Sequence, residues 1–360
     1  MERRNFLKGA ALTAGTAGLA APAVAQSTVE LAIVSTWPRD FPGLGVSAQR
    51  LAARIEELSE GEIAVQYFAA NERVGAFDSF DEVASGNAQA YIAADYYWKG
   101  KHPGWAPFTA IPFGLSYVEM DAWIKYAGGQ ELWDELAAEF GLKNFACGNT
   151  GVQMGGWFNK EIESADDLKG LKMRIPGLGG DVMAKLGASP VSLPGGQIYE
   201  NLVSGAIDAT EWVGPYNDFF MKFYEAAKYY YYPGMHEPAS QLAFGMNKAF
   251  WDSLSTGHQN LIHAACNEEN ARQMSETTAN NGVFLQRLIT EHGVELREFN
   301  DDIYASFAEA AEEVTEEARE HSELSARIFD SALKARTEIG GWNAIADVAY
   351  VTKRNRALDN

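Results

Sequence analysis

Two successive series of alternating strand and helix patterns constrain the fold of this chain more than any other feature. In the first series, the predicted segments follow the order 29–37, 45–61, 62–68, 76–87 and 88–98, beginning and ending with a strand. The strand segments are rich in Val, Ile and aromatic residues, whereas the helical segments repeat apolar residues three and four positions apart. Such an alternation predicts a parallel sheet with helices packed against it.

The same alternation restarts after Cys147. Its strand-like segments are 150–159, 171–176, 189–194 and 207–215, and its helical segments are 164–170, 179–188 and 195–206. A chain of 360 residues also exceeds what one core usually supports. We therefore predict an α/β fold of two domains, with a ligand cleft between them.

The C-terminal part of the sequence is predicted to be mainly helical. Long helical patterns cover 257–293 and roughly 301–338. At 1.5 Å per residue each is about 50 Å long, enough to brace both domains. Past a glycine break at 340–341, an apolar stripe comprises Trp342, Ile345, Val348 and Tyr350. This stripe needs a covering surface, either from its own chain or from a second subunit.

Residues 1–25 are predicted to be an export signal. Basic residues precede a short apolar stretch, and Ala23-Val24-Ala25 is typical of a cleavage site. The pair Arg3-Arg4 indicates the twin-arginine class, which exports folded proteins. A membrane anchor is the alternative, but the stretch is shorter than the ~20 apolar residues that a span needs. We expect a cleaved signal and a periplasmic protein.

The formal net charge of -20 excludes nucleic acid as a partner, because an acidic surface repels polyanions. It also repels small anions, so an anion site requires a local positive charge. The two cysteines, Cys147 and Cys266, could pair in an oxidising compartment, but nothing in the sequence requires it. Two buried thiols are the favoured interpretation.

Arg174 lies within a short apolar strand pattern. A charge buried there without a partner costs several kcal/mol, so an anion should meet it. The guanidinium fork matches a carboxylate, and the glycines after Pro176 allow a ligand to approach closely. The alternative is an internal salt bridge to an acid such as Asp181 or Asp208.

Other polar residues also lie on predicted strands, at the edge where open α/β sheets bind ligands. Glu211, next to Trp212, is expected either to pair with Arg174 or to bind a cation. Together with Gln153 and backbone carbonyls, it would form an all-oxygen set that suits Na⁺ or Ca²⁺ and not zinc. The spacing alone does not decide between these interpretations.

Three further candidates have ordinary structural alternatives. Tyr96 and Tyr97 either pack at a strand end or place a hydroxyl group in a cleft. Asn217 follows Pro215 and could equally form a turn. The sequence contains no nucleophile elbow, no phosphate-binding glycine loop and no helical histidine pair with metal-ligand spacing. It therefore favours binding over catalysis.

Three segments carry a resemblance to a known family. They are LKGLKMRIPG at 168–177, GGQIYENLVSGAIDATEWVGPYND at 195–218 and AFGMNKAFWDSL at 243–254. With the export signal, they resemble the extracytoplasmic solute receptors of tripartite ATP-independent periplasmic (TRAP) transporters. The segments GNTGVQMGGWF and IDATEWVGP are most similar to the branch that binds α-keto acids such as pyruvate with a cation.

The resemblance implies a site for a small 2-oxo monocarboxylate and a cation. The residues implied for the substrate are Arg174, Asn217, Tyr96, Tyr97, Gln153 and Trp212. The residues implied for Na⁺ or Ca²⁺ are Gln153, Glu211 and, through its backbone carbonyl, Trp212. Of the two tyrosines, the resemblance leaves open which one faces the ligand. Dicarboxylates are expected to bind poorly, because they add an uncompensated charge.

The resemblance also implies a receptor that closes around its ligand and delivers it to TRAP permease subunits in the inner membrane. It implies a homodimer that exchanges a C-terminal helix. The alternatives are a receptor for a 2-hydroxy acid such as lactate or for a bulkier carboxylate, a periplasmic metal-dependent keto-acid enzyme, and a structural or adhesion protein. The expected domains are 28–149 with 238–285, 150–237 with 286–338, and a C-terminal extension at 339–360.

Overall fold

The computed structural model describes residues 28–358, so the predicted signal at 1–25 lies outside the described residues. The strands are β1 (Val29–Ser35), β2 (Ile63–Phe68), β3 (Ala90–Ala93), β4 (Leu142–Asn149), β5 (Gly156–Phe158), β6 (Lys172–Arg174), β7 (Ser189–Val191), β8 (Ala209–Thr210), β9 (Tyr229–Tyr232), β10 (Gln241–Asn247) and β11 (Glu295–Glu298). The α-helices are α1 (Leu44–Leu58), α2 (Ser79–Ala84), α3 (Tyr117–Tyr126), α4 (Gly129–Glu139), α5 (Gly177–Lys185), α6 (Gly195–Val203), α7 (Pro215–Met221), α8 (Lys248–Ser253), α9 (Thr256–His292), α10 (Asp301–Arg319), α11 (Glu323–Asn343) and α12 (Ala349–Leu358).

Two separate sheets confirm the predicted two-part α/β architecture. The first has the strand order β2-β1-β3-β10-β4, and the second has the order β11-β9-β5-β8-β6-β7. β1 is parallel to β2 and β3, as the alternation predicts, but β10 is antiparallel to β3 and β4. In the second sheet, β5 is likewise antiparallel to β8 and β9. The prediction of parallel sheets therefore holds for β1, β2 and β3 but is wrong for either sheet as a whole. β10 joins the first sheet only after the chain has formed most of the second sheet.

The chain passes between the two sheets repeatedly. It leaves the first sheet after β4, returns after β9 to form β10, and reaches the second sheet again at β11. Between β10 and β11, α9 has 37 residues and is about 55 Å long. It contacts α1 and β4 beside the first sheet and α7 beside the second, so it braces both parts. The exact domain limits stay predictions.

Two predicted strands next to the cleft are shorter than their sequence patterns. Within the pattern at 88–98, the strand ends with β3. The chain then forms a 3₁₀ turn that contains Tyr96 and Tyr97. The pattern at 207–215 forms only β8. The backbone amides of Val213 and Gly214 each donate to a carboxylate oxygen of Asp218 at 3.1 Å and not to a neighbouring strand.

The C-terminal helices also differ from the prediction. The pattern at 301–338 forms two helices, because Ser322 caps the start of α11 by accepting a hydrogen bond from the backbone amide of Ser325 at 3.0 Å. The glycines at 340–341 do not end the helix, which continues to Asn343. The exposed fractions along the apolar stripe are Trp342 67%, Ile345 72%, Val348 56% and Tyr350 65%. The described part of the chain therefore leaves this stripe uncovered.

The interior contains both cysteines as thiols. Cys147 in β4 and Cys266 in α9 are buried and unbonded, which the sequence favoured over a disulfide. Burial raises the pKa of both thiols, so they serve as small apolar core residues. Within residues 28–358, no helix is both long enough and apolar enough to cross a membrane.

Candidate functional site

Arg174, the last residue of β6, is 1% exposed. Its Nη1 donates two hydrogen bonds to Glu211, one to the side-chain carboxylate and one, at 3.2 Å, to the backbone oxygen. Its Nε donates to the carbonyl of Leu193 at 3.2 Å. Its Nη2 is buried and has no partner among the described residues. Burial is the largest single effect and opposes the charged form, but Glu211 and the other acidic groups around it, including Glu237, together raise the pKa of Arg174. The guanidinium is therefore charged, with one free donor.

The internal salt bridge considered as the alternative for Arg174 does form, but its partner is Glu211 and not Asp181 or Asp208. Asp181 pairs with Lys99 instead. Asp208 accepts a hydrogen bond from the backbone amide of Lys172 at 3.0 Å. Glu211 was expected either to pair with Arg174 or to bind a cation. The structure shows the pair with Arg174, and cation binding by Glu211 stays a proposal.

Glu211 follows β8, is 0% exposed, and connects Arg174 to a second buried group. Its Oε2 lies 3.2 Å from Nε2 of His236. The ligating atoms of Glu211, His236 and Glu237 all lie within 4.8 Å of one another. Sequence reasoning missed His236 and Glu237, because a histidine and an acid before a proline are typical of a loop. The only signal for this cluster in the sequence was that two ionisable residues are adjacent.

Burial and charge oppose each other in this cluster. Burial and the charge of Glu211 raise the pKa of Glu237 to about 7. Burial alone would lower the pKa of His236, but its hydrogen bond to Glu211 and the charge of that residue raise it. A cation bound beside these groups would compete with their protons.

Gln153 lies just before β5 and is 3% exposed. Its Nε2 donates to Oε2 of Glu237 at 2.6 Å and to Oγ1 of Thr150 at 3.1 Å. Its Oε1 is buried and has no hydrogen-bond partner in the described chain. An unpaired buried acceptor costs about 1–3 kcal/mol, so this oxygen marks a position where a cation or a donor group would fit.

A narrow cavity is lined by residues from both halves of the molecule. The predicted site residues that line it are Tyr96, Tyr97, Gln153, Arg174 and Trp212. Both tyrosines contribute, so the structure does not choose between them. Nε1 of Trp212 is also buried without a partner in the described chain, and Cζ of Arg174 lies 5.1 Å from the centroid of the Trp212 ring. The unpaired nitrogens of Arg174 and Trp212 and the unpaired oxygen of Gln153 therefore belong to residues that line the same cavity.

Asn217 occupies a different position from the other predicted site residues. It lies in the first turn of α7, is 1% exposed, and does not line the cavity. Its Nδ2 donates to the carbonyl of Pro42 at 2.8 Å, just before α1. Because α1 packs beside the first sheet and α7 follows a strand of the second, this hydrogen bond joins the two halves. A contact with the substrate stays a prediction.

Comparison with known proteins relates this geometry to solute binding. Residues 33–321 match the DctP family, described as bacterial extracellular solute-binding protein, family 7. A monocarboxylate 2-oxoacid-binding periplasmic protein of Nostoc sp. is 36% identical over 358 residues, which cover 97% of this chain and 98% of the relative.

Two crystal structures of TRAP periplasmic solute binding proteins are also similar. The protein of Pseudoalteromonas atlantica, with bound sodium and pyruvate, has 39% sequence identity and a TM-score of 0.87 over 90% of this chain and 99% of that one. The protein of Colwellia psychrerythraea, with bound calcium and pyruvate, has 37% identity and a TM-score of 0.88 over 91% of this chain and 99% of that one. The similarity extends over both sheets.

Proposed function

Because the chain belongs to the DctP family of TRAP solute receptors, we propose that it captures a small 2-oxo monocarboxylate, such as pyruvate, together with Na⁺ or Ca²⁺. It then delivers the ligand to TRAP permease subunits in the inner membrane. The 2-oxoacid-binding relative and the two pyruvate-bound structures support this substrate class. Members of the family are solute-binding receptors, which supports a binding role and not an enzymatic one.

One observation carries the proposal. Nη2 of Arg174 and Oε1 of Gln153 are both buried, unpaired within the described chain, and part of residues that line the same cavity. A free guanidinium donor matches a carboxylate, whereas a free amide oxygen matches a cation. A ligand that brings both partners removes the cost of both unpaired atoms.

Arg174 binds the carboxylate in this proposal, and the cation is held by Oε1 of Gln153, the carboxylate of Glu211 and the backbone oxygen of Trp212. When bound, the cation supplies positive charge for the carboxylate and 2-oxo oxygens of the substrate. Arg174 and a monovalent cation then balance Glu211 and the substrate, beside the buried His236 and Glu237.

Binding is coupled to closure of the two halves, since the cavity is lined from both sides and a ligand touching both favours the closed state. We place the mature protein in the periplasm, as its family indicates, and we propose a homodimer that covers the exposed stripe at 342–350. The twin-arginine signal stays a prediction.

The proposal is tested by thermal unfolding of cation-stripped protein with pyruvate, lactate and succinate, each with and without Na⁺ and Ca²⁺. A ligand at 100 times its dissociation constant adds about 2.7 kcal/mol to the free energy of unfolding. We expect this stabilisation from pyruvate with a cation. It should be absent in Arg174→Met and retained in Lys172→Met, whose side chain lies on the same strand and is 48% exposed.

The other outcomes are equally informative. Stabilisation by succinate without a cation would overturn the proposed cation site. A larger effect of lactate than of pyruvate would reassign the receptor to 2-hydroxy acids. Loss of pyruvate on incubation with the protein would indicate an enzyme.

A further inference from the structure

Glu237 contacts Gln153, one of the residues proposed above to bind the cation. Its Oε2 accepts a hydrogen bond from Nε2 of Gln153 at 2.6 Å, and Glu237 is itself 3% exposed. A glutamine side chain offers a donor at one end and an acceptor at the other. Which end faces the cavity depends on what binds the opposite end.

Thr150, the second partner of this amide, also acts as an acceptor. Its hydroxyl group donates to the carbonyl of Gly151 at 3.0 Å, so its hydrogen is already used. The Thr150 oxygen can then only accept from Nε2 of Gln153, at 3.1 Å. A flipped amide would place Oε1 against two acceptors, which is unfavourable. The surroundings therefore direct the amide oxygen of Gln153 away from Glu237, and this is the buried oxygen without a partner.

The backbone keeps these two residues together. The amide of Gln153 donates to the carbonyl of Glu237 at 3.1 Å, and the amide of Gly234 donates to the carbonyl of Gln153 at 3.0 Å. The segment 234–237 therefore runs alongside Gln153 and holds the Glu237 carboxylate in reach of its side chain.

We propose that Glu237 is a positioning residue that orients the Gln153 amide so that its oxygen binds the cation of the receptor. This inference rests on the proposed function. Glu237 is not among the cation ligands proposed above. Partners of this kind, which orient a ligand without binding the metal, typically contribute about 10- to 100-fold to metal affinity.

The test compares two variants that both remove the charge of Glu237 and have similar size. Glu237→Gln keeps an acceptor for Nε2 of Gln153, whereas Glu237→Met removes it. Affinities for Ca²⁺ and Na⁺ are measured by titration calorimetry on the mature protein, and pyruvate affinity is measured at low and at saturating cation. We expect Glu237→Met to bind the cation about 10- to 100-fold more weakly than Glu237→Gln. At saturating cation, the pyruvate affinities of the two variants should converge.

Equal cation affinities in the two variants would overturn the inference, because a residue that acts only through its charge or through packing does not distinguish them. If Glu237→Met does not fold, Glu237→Leu takes its place in the comparison with Glu237→Gln, and equal cation affinities there also overturn the inference. Absence of any cation-dependent pyruvate binding in the unmodified protein would instead refute the proposed function itself.

Discussion

Asp95 is a buried carboxylate next to the two tyrosines that line the cavity. It begins the 3₁₀ turn that carries both cavity tyrosines, and it is 0% exposed. It accepts hydrogen bonds from the hydroxyl of Tyr91 at 2.9 Å, the indole of Trp133 at 2.9 Å and the amide of Asn144 at 2.8 Å. These donors are neutral, and burial outweighs them, so the pKa of Asp95 is raised to about 7.

This raised pKa predicts that part of the stability is lost as the pH increases. The ordinary pKa of the group is 3.8, so between that value and about 7 the folded state binds more protons than the unfolded state. The contribution of Asp95 is complete below the unfolded pKa and disappears as the pH rises through the folded one, with a slope of at most about 1.4 kcal/mol per pH unit.

Urea unfolding at several pH values checks this expectation. The free energy of unfolding should fall less steeply with pH in Asp95→Asn than in the unmodified protein. Asp302→Asn, which changes an exposed acid in the first turn of α10, should keep the original slope. An unchanged slope in Asp95→Asn would contradict the assignment.

Single residues also show what the sequence can reveal about the site. Arg174 and Glu211 could be identified because each places a charge in an apolar strand pattern, which requires a partner wherever the strand lies. Glu237 could not be identified, because its role comes from the segment 234–237 lying beside Gln153, and that contact exists only in the folded chain.

At the scale of secondary-structure elements, the contact between α7 and the start of α1 is a point where the two halves meet. Asn217 of α7 donates to the carbonyl of Pro42, and the next residue, Gly43, has a φ of 76°. A Cβ atom at Gly43 would lie 2.2 Å from Nδ2 of Asn217, so a larger residue would displace the Asn217 side chain and break its hydrogen bond to Pro42.

We therefore expect Gly43→Ala to weaken pyruvate binding by at least about tenfold, and Asn217→Ala by about fivefold for the loss of one hydrogen bond. Gly61→Ala is the matched control, because Gly61 has a similar φ of 82° and nothing lies within 4 Å of its Cβ position. Calorimetry gives the affinity, and small-angle scattering shows whether the ligand still compacts the protein. Compaction and affinity equal to those of Gly61→Ala would contradict a role in closure.

Elements with strong periodicity could be predicted from the sequence, and elements set by side-chain contacts could not. α9 was predicted at 257–293 and forms at Thr256–His292, because its apolar spacing persists over its length. Of the strand pattern at 207–215, only β8 forms a strand. The carboxylate of Asp218 accepts hydrogen bonds from the backbone amides of Val213 and Gly214, which are therefore not available to extend the strand. Likewise, the pairing of β10 with β3 and β4 depends on the chain returning from the second sheet.

At the scale of the whole molecule, the apolar stripe of the C-terminal extension is a surface that the described residues leave uncovered. α11 leaves the body of the protein at its end and continues through a π-helical stretch into α12, which has no buried residues. An apolar stripe on such an extension is unfavourable in water unless another surface covers it. A second copy of this chain carries the same stripe, and a symmetric dimer would let each copy cover the other.

We expect the mature protein to be a dimer by size-exclusion chromatography with light scattering, and the double variant Ile345→Glu with Val348→Glu to be a monomer. The two charges would have to be buried in the interface, and the free-energy cost of burying them exceeds the stabilisation from the remaining apolar contacts. Adding two charges to an exposed face of α9, as Gln286→Glu with Thr290→Glu, should leave the dimer intact. Pyruvate affinity should be unchanged in both, because neither pair lines the cavity. A double stripe variant that stays dimeric would place the subunit contact elsewhere on the molecule.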